Sequence, residues 1–100
     1  MFIYNITSKI DNGIVTEWIQ WQEDVYIPGV MATGFFYDHR FFKLLEQDES
    51  EGQTFVLQFF AKIRKDYDHY IQHYATGFHN KVLRKWGDRF IAFSTLLQAV

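Results

Sequence analysis

The chain has no cysteine, one proline, six glycines and almost no net charge over its 100 residues. Each shortage excludes something. Without cysteine there is no disulfide framework, no thiolate metal site and no cysteine nucleophile. Ten Lys and Arg against twelve Asp and Glu leave a formal charge of −2. That balance makes no field for polyanions, so nucleic acid is not an expected partner. No apolar run approaches the roughly 18 residues of a membrane span, so no membrane partner is expected either. The stretch Met1-Phe2-Ile3-Tyr4-Asn5-Ile6-Thr7-Ser8-Lys9 has no basic leader and alternates like a strand. It does not read as a signal peptide, and the expected location is cytoplasmic. On that account the sequon Asn5-Ile6-Thr7 is read as a chance match. No linker, low-complexity tract or internal repeat divides the chain, and residues 1–100 read as a single domain.

Aromatic side chains are what the sequence has in excess: eleven Phe, six Tyr and three Trp. A chain of this size buries only roughly two-thirds of its unfolded surface. The question the composition sets is where twenty large rings can be covered.

Periodicity gives the element order. Residues 2–8 alternate as a strand, with Tyr4 and Ile6 on one face and Ile3, Asn5 and Thr7 on the other. Asp11-Asn12-Gly13 is turn chemistry that can cap a following helix. Ile14, Trp18, Trp21 and Val25 then fall within about 60° of one another at helical spacing. Pro28-Gly29 is expected to end or kink that helix, with a short turn over Val30–Thr33. Residues 35–46 read as a long aromatic strand, Gln47–Gly52 as an acidic hairpin loop, and residues 53–62 as the next strand. That strand has a wholly apolar odd face (Phe55, Leu57, Phe59, Ala61) and a mixed even face (Thr54, Val56, Gln58, Phe60). Residues 64–86 form a second helix, weakened midway by Gly77 and stopped at Gly87-Asp88. Residues 89–99 close the chain as a strand.

The resulting β-α-β-β-α-β order is the ferredoxin-like arrangement, an α+β fold with two helices on one face of a four-stranded antiparallel sheet. The core expected between helices and sheet is Trp18, Trp21, Phe55, Phe59, Tyr74, Phe78 and Phe93. The other sheet face is expected to carry Gln58, Phe60, Phe90, Ala92, Ser94 and Leu96. Such a face left bare invites aggregation, and a symmetric partner is the economical cover. A homodimer packed sheet to sheet is therefore expected, with those six residues at its interface.

Several segments together resemble a small uncharacterised bacterial family, a domain of unknown function of about this length. They are Ile3-Tyr4-Asn5-Ile6-Thr7, the spaced Trp18 and Trp21, Ile27–Phe35, Glu51–Phe55 with Gln58-Phe59-Phe60, and Gly87–Phe93. The resemblance covers nearly the whole chain and implies kinship with the dimeric α/β-barrel superfamily, in which two ferredoxin-like protomers pair their sheets. That superfamily includes cofactor-independent monooxygenases, small isomerases, haem-degrading enzymes and ligand-sensing domains. Fold kinship of this kind does not transfer function. The sequence departs from the family pattern at Tyr26, where a His is common, and at Ser94, where an Arg is frequent.

Candidates for chemistry are few. His69 and His73 have the i, i+4 spacing that can seat a metal, but both point more than about 100° from the apolar stripe, as does His79. They read as surface histidines, and no metal or cofactor is expected. His39 sits among aromatics on its strand and is a weak candidate for a general base. Asn5, on a central strand, must find hydrogen bonds if buried and is the other weak catalytic candidate. Trp18, Tyr70 and Trp86 are candidates to wall a pocket for an apolar or aromatic small molecule, although their helical spacing favours core packing. No glycine-rich phosphate loop or serine nucleophile elbow occurs. Two readings follow. One is a non-catalytic homodimeric module that binds a small apolar ligand or serves a structural role. The other is a cofactor-independent monooxygenase or isomerase acting on an aromatic substrate.

Overall fold

The computed structural model describes all 100 residues. Strand β1 spans Phe2–Ile10 and is followed by a single 3-10 turn, helix α1 (Val15–Trp21), a π-helical turn (Gln22–Tyr26) and helix α2 (Ile27–Ala32). Strands β2 (Asp38–Lys43) and β3 (Gln53–Ala61), helices α3 (Arg64–His73) and α4 (Ala75–Trp86), and strand β4 (Phe90–Gln98) complete the chain. The sheet order is β2-β3-β1-β4 with every neighbouring pair antiparallel. This is the expected ferredoxin-like α+β fold, with the helical segments on one face of the sheet.

Local chemistry explains where the elements depart from the periodic reading. Pro28 does not end the first helical stretch. Its ring would crowd the Asp24 carbonyl in a regular helix. Just before it the backbone widens, and the Ile27 N–H donates to Gln22 O, five residues back. The chain then stays helical through Pro28-Gly29 to Ala32. The expected strand 35–46 is shorter at both ends. Gly34, at φ +84°, turns the chain. Phe36 then leaves the strand line and enters the core, its ring centroid 5.0 Å from that of Tyr70 and 5.4 Å from that of Phe59. The second helix breaks at Tyr74 (φ −125°), not at Gly77, where a Cβ would meet nothing within 4 Å. Gly52 is required by close approach, since a Cβ there would lie 2.7 Å from the Ile10 carbonyl oxygen.

One expectation about the sheet is reversed. Strand β4 pairs with β1 so that Ile10 faces Phe90, Ser8 faces Ala92, Ile6 faces Ser94 and Tyr4 faces Leu96. Cross-strand partners share a face, and the β1 residues of these pairs are the ones on the helix side. Phe90, Ala92, Ser94 and Leu96 therefore point to the helix side, and Ile91, Phe93, Thr95 and Leu97 to the helix-free side. Of the six residues expected on the bare face, only Gln58 and Phe60 lie there. Phe93 leaves the expected core and is 61% exposed. A one-residue change of phase inverts every side chain of a strand, and β4 is apolar on both of its faces.

The core forms two aromatic clusters. The larger centres on Tyr26, Ile27, Val30, Phe36, Leu57, Phe59, Ala61 and Tyr70. The smaller holds Ile10, Ile14, Trp18, Phe55 and Trp86. Trp21 and Phe78 pack against this core partly buried, whereas Tyr74, at the helix break, is 39% exposed.

Candidate functional site

A cleft of about 240 Å³ opens between the sheet and the helices. Its walls come from both aromatic clusters: Trp18 and Phe55 from the smaller, Tyr26 and Leu57 from the larger, with Tyr4, Ile6, Phe90 and Val82 between them. The opening exists because small side chains stand where large ones would fill it. Ser8 on β1 lies opposite Ala92 on β4. Ser94 lies along the same face, and Ala75 begins the helix above. The edge strand β4 leaves Ala92 and Ser94 exposed, and His79, exposed on α4, completes the lining.

The polar groups on this lining are unusual in what they lack. Gln22 is 4% exposed and Ser8 7% exposed, and both line the cleft. Neither side chain takes part in any side-chain hydrogen bond of the protein. Gln22 begins the π-helical turn and Tyr26 ends it, so this one turn delivers two polar side chains to the cleft. Burial holds the Tyr26 hydroxyl well above the usual phenol value, reinforced by the neighbouring Tyr70 and Tyr4 hydroxyls. Burial likewise raises Tyr4, with Tyr67 adding to the effect and Ser94 opposing it. These phenols are neutral donors at neutral pH. No Lys, Arg, Asp or Glu lines the cleft.

Of the aromatic residues singled out for a ligand, Trp18 lines the cleft, whereas Tyr70 and Trp86 do not. Both are buried in the clusters behind it, where the Trp86 indole N–H is cut off from solvent without a hydrogen bond and the Tyr70 hydroxyl, equally cut off, has only the neighbouring Tyr26 hydroxyl to face. Burial, then the nearby Tyr4, raises the Tyr70 phenol far above its ordinary range.

The two candidate catalytic residues lie on opposite faces of the sheet. His39 pairs with Phe59 on the helix side, half-buried, while Asn5 pairs with Gln58 on the helix-free side. Neither lines the cleft. Asn5 is instead the hub of a polar network. Its Oδ1 accepts from Gln58 Nε2 at 3.1 Å, and its Nδ2 donates to Thr95 Oγ1 at 3.3 Å and to Thr7 Oγ1 at 3.4 Å.

His69 and His73 are exposed, with ring centroids 4.3 Å apart, and His69 stacks on Phe35 at 4.4 Å. The fold brings together no group of three His, Asp or Glu side chains that could hold a metal ion. His79, read from the helical wheel as facing away, lines the cleft.

Gln22 and Ser8 carried a signal that periodicity alone passes over. Gln22 stands four residues after Trp18 and four before Tyr26, both buried, so it is a polar residue on a buried stripe. Ser8 interrupts an otherwise apolar strand face running Tyr4, Ile6, Ser8, Ile10.

The family model for a domain of unknown function, DUF4286, matches residues 1–100. The chain belongs to the DUF4286 family. No curated protein sequence matches it. Among solved structures, the DUF4286 chain is similar to a dimeric ferredoxin-like protein from an uncultured marine organism. The two share 11% identity and a TM-score of 0.73, over 100% of this chain and 95% of that one. It is also similar to HapK from Hahella chejuensis, at 9% identity and a TM-score of 0.70 over 100% and 93% of the two chains. A further likeness is to SnoaB from Streptomyces nogalater, a cofactor-independent oxygenase, at 14% identity and a TM-score of 0.54 over 98% and 92%. At such identities the likeness establishes the fold and not the chemistry. No helix of the DUF4286 chain is long and apolar enough to cross a membrane.

Proposed function

We propose that this DUF4286 chain is a homodimeric, non-catalytic module that binds a small apolar or aromatic molecule in the cleft between helices and sheet. The observation that carries the reading is the cleft itself, an apolar opening of about 240 Å³ beside Trp18, kept open by Ser8, Ala92 and Ser94. Pockets for drug-sized ligands measure roughly 300–1,000 Å³, so this smaller space suits a molecule of one or two rings.

The homodimer is supported from the other side of the sheet. Ile91, Phe93 and Phe42 are 74%, 61% and 49% exposed on the helix-free face. Four strands about 4.8 Å apart and up to nine residues long at about 3.4 Å each present a projected patch of about 500 Å². The accessible area of such a patch is larger, because side chains stand out from it, and a standard interface buries about 800 Å² per partner. Solved neighbours with this fold are described as dimeric ferredoxin-like proteins. With the face reassigned, the interface residues we propose are Ile3, Gln58, Phe60, Ile91, Phe93 and Leu97. An oxygenase or isomerase reading would need a catalytic group against the ligand, and neither His39 nor Asn5 lines the cleft.

A chemical-shift titration of the tryptophan indole N–H signals with 1-indanone tests the cleft. The expected result is a saturable shift of the Trp18 signal that is lost in Ala92→Trp, where the new side chain fills the opening. No saturable shift in the unmodified protein, or an unchanged one in Ala92→Trp, overturns the reading.

A further inference from the structure

The cleft reading says that something small and apolar binds, but not what distinguishes it from any other apolar molecule. The unpaired polar side chains on the lining bear on that. In folded proteins a buried amide is almost always hydrogen-bonded. Gln22 is 4% exposed, lines the cleft and has no partner among the protein's own side-chain hydrogen bonds. Ser8, also buried, lines the same cleft and is likewise without one. Neither is among the polar atoms sealed from solvent, which are the Tyr70 hydroxyl and the Trp86 indole N–H, so the open side of both groups is the cleft and its contents can supply their partners.

The backbone shows how Gln22 comes to aim there. It occupies the first position of the π-helical turn, and Tyr26, also on the lining, occupies the last. Such turns recur at functional sites, because the extra residue re-aims side chains without ending the helix. A regular helix would need Pro28 to pack its ring against the Asp24 carbonyl, so Pro28, two residues beyond the turn, favours the widened backbone.

The charge of the lining completes the description. It contains no Lys, Arg, Asp or Glu, and its one histidine, His79, is exposed. An ionised ligand entering this space loses its water and meets no counter-charge. The Tyr4 and Tyr26 hydroxyls are held neutral by burial and offer dipoles rather than charge.

We infer that the cleft selects an uncharged one- or two-ring molecule bearing a carbonyl or hydroxyl oxygen, and that the Gln22 amide together with the Ser8 hydroxyl reads that oxygen. The inference rests on the proposal that the cleft is a ligand site. An amide both donates and accepts, as does a hydroxyl, so the pair serves a ketone through Gln22 N–H and Ser8 O–H, and an alcohol or phenol through the Gln22 carbonyl. A hydrocarbon of the same shape leaves both groups unpaired. Gln22 is thus a specificity-determining residue rather than a catalytic one.

The experiment compares three probes of nearly one shape: 1-indanone, indane and indane-1-carboxylate. Dissociation constants are read from the Trp18 indole shift in the unmodified protein, in Gln22→Met and in Ser8→Ala. The unmodified protein is expected to bind 1-indanone about tenfold more tightly than indane, a difference of about 1.4 kcal/mol, and to bind the carboxylate more weakly than either. In Gln22→Met the ketone preference should fall to about onefold to threefold, mainly because indane binds better. Ser8→Ala should give a smaller change in the same direction.

Equal affinity for 1-indanone and indane in the unmodified protein overturns the inference while leaving the cleft reading standing. So does carboxylate binding as tight as the ketone's, or a full preference retained in Gln22→Met. If none of the three shifts the Trp18 signal, the cleft reading itself fails and takes this inference with it. Should Gln22→Met fail to fold, the three-probe comparison in the unmodified protein and Ser8→Ala still decide the matter.

Discussion

The two faces of the one sheet are built from similar materials and do opposite things with them. Both mix large apolar side chains with a few polar ones near the middle. On the helix-free face the polar groups are paired with each other: Asn5 joins Gln58, Thr95 and Thr7 by hydrogen bonds across three strands. On the helix side the polar groups Gln22 and Ser8 are left unmatched beside a cavity. A polar cluster that satisfies itself can be covered by an apolar surface without loss. One that does not satisfy itself demands a polar atom from whatever arrives. The first arrangement suits a flat protein interface and the second a small ligand. Pattern and composition barely separate the two faces; hydrogen-bond pairing separates them clearly.

The largest effect expected from this contrast comes from putting a charge on each face of β4. Phe93→Asp places a carboxylate on the helix-free face, where the proposed partner would bury it without a counter-charge. Light scattering after size exclusion should give about twice the 12.0 kDa monomer mass for the unmodified protein at micromolar concentration, and the monomer mass for Phe93→Asp. That monomer should remain folded, because Phe93 is already 61% exposed within the protomer, and its melting temperature should fall only by what association contributes. Phe90→Asp, three residues away, should do the reverse. Phe90 packs against the Ile10, Trp18 and Trp86 cluster, so the variant should lose stability by several kcal/mol. Two unaltered masses would break the assignment of the helix-free face as an interface.

How far these faces could be read from sequence follows from each strand's composition. On β3 the odd positions Phe55, Leu57, Phe59 and Ala61 are uniformly apolar and the even ones are not. Alternation alone orients the strand, and the structure buries that face. On β1 the alternation of Tyr4 and Ile6 with Asn5 and Thr7 does the same. On β4, Phe90, Ala92, Ser94 and Leu96 are no more polar than Ile91, Phe93, Thr95 and Leu97. A period-2 pattern with two apolar phases carries no orientation, and only pairing with β1 decides it. The cleft was less legible for a related reason. A cavity is the absence of volume, made here by Ser8, Ala75, Ala92 and Ser94 from three separate elements. Nothing local to any one of them announces the others. Trp18 could be named from its spacing, whereas His39 and Asn5 attracted notice for their chemistry and proved to be on opposite sides.

A smaller effect tests the matched network itself. Asn5→Ala removes the acceptor of Gln58 and the donor to Thr95 and Thr7. If a partner excludes water from this face, those groups stay unpaired, and denaturant unfolding should show a loss of about 1–2 kcal/mol. In the Phe93→Asp background, where the face stays wet, water replaces the lost partners and the loss should shrink by 0.5 kcal/mol or more. That difference is a coupling energy of the kind seen between groups sharing one environment. The same loss in both backgrounds would mean that the network is no more sheltered in the dimer than in the monomer, and the proposed contrast between the faces would fail at that point.

The smallest effect concerns the contact that joins the end of β1 to the start of β4, the strand whose register decides which residues face the cleft. Asp11, just beyond β1, accepts from the Gly13 N–H at 2.8 Å and from Arg89 Nε at 3.0 Å, and its own N–H donates to the Arg89 carbonyl at 3.0 Å. This ties the start of β4 to the end of β1. The Arg89 hydrogen bond, then that of Gly13, holds the Asp11 carboxyl below its ordinary value of 3.8. A carboxyl whose folded value lies below its unfolded one favours the folded state when ionised. Its contribution is complete above about pH 5 and is lost as the pH falls through the folded value, below 3.8. Urea midpoints of the unmodified protein should therefore fall between pH 5 and pH 3. In Asp11→Asn that fall should be shallower but not absent, because Asp38 and Asp48 are also held low by their hydrogen bonds. Both partners are well exposed, so solvent screens the pair and the change is small. The more telling readout is the Trp18 indole signal. If the Asp11–Arg89 lock only stabilises, that signal and its response to 1-indanone stay as they are in Asp11→Asn. If it fixes the phase of β4, the variant should weaken 1-indanone binding while the mass stays dimeric, because the cleft depends on Ala92 and Ser94 keeping their places opposite Ser8 and Ile6.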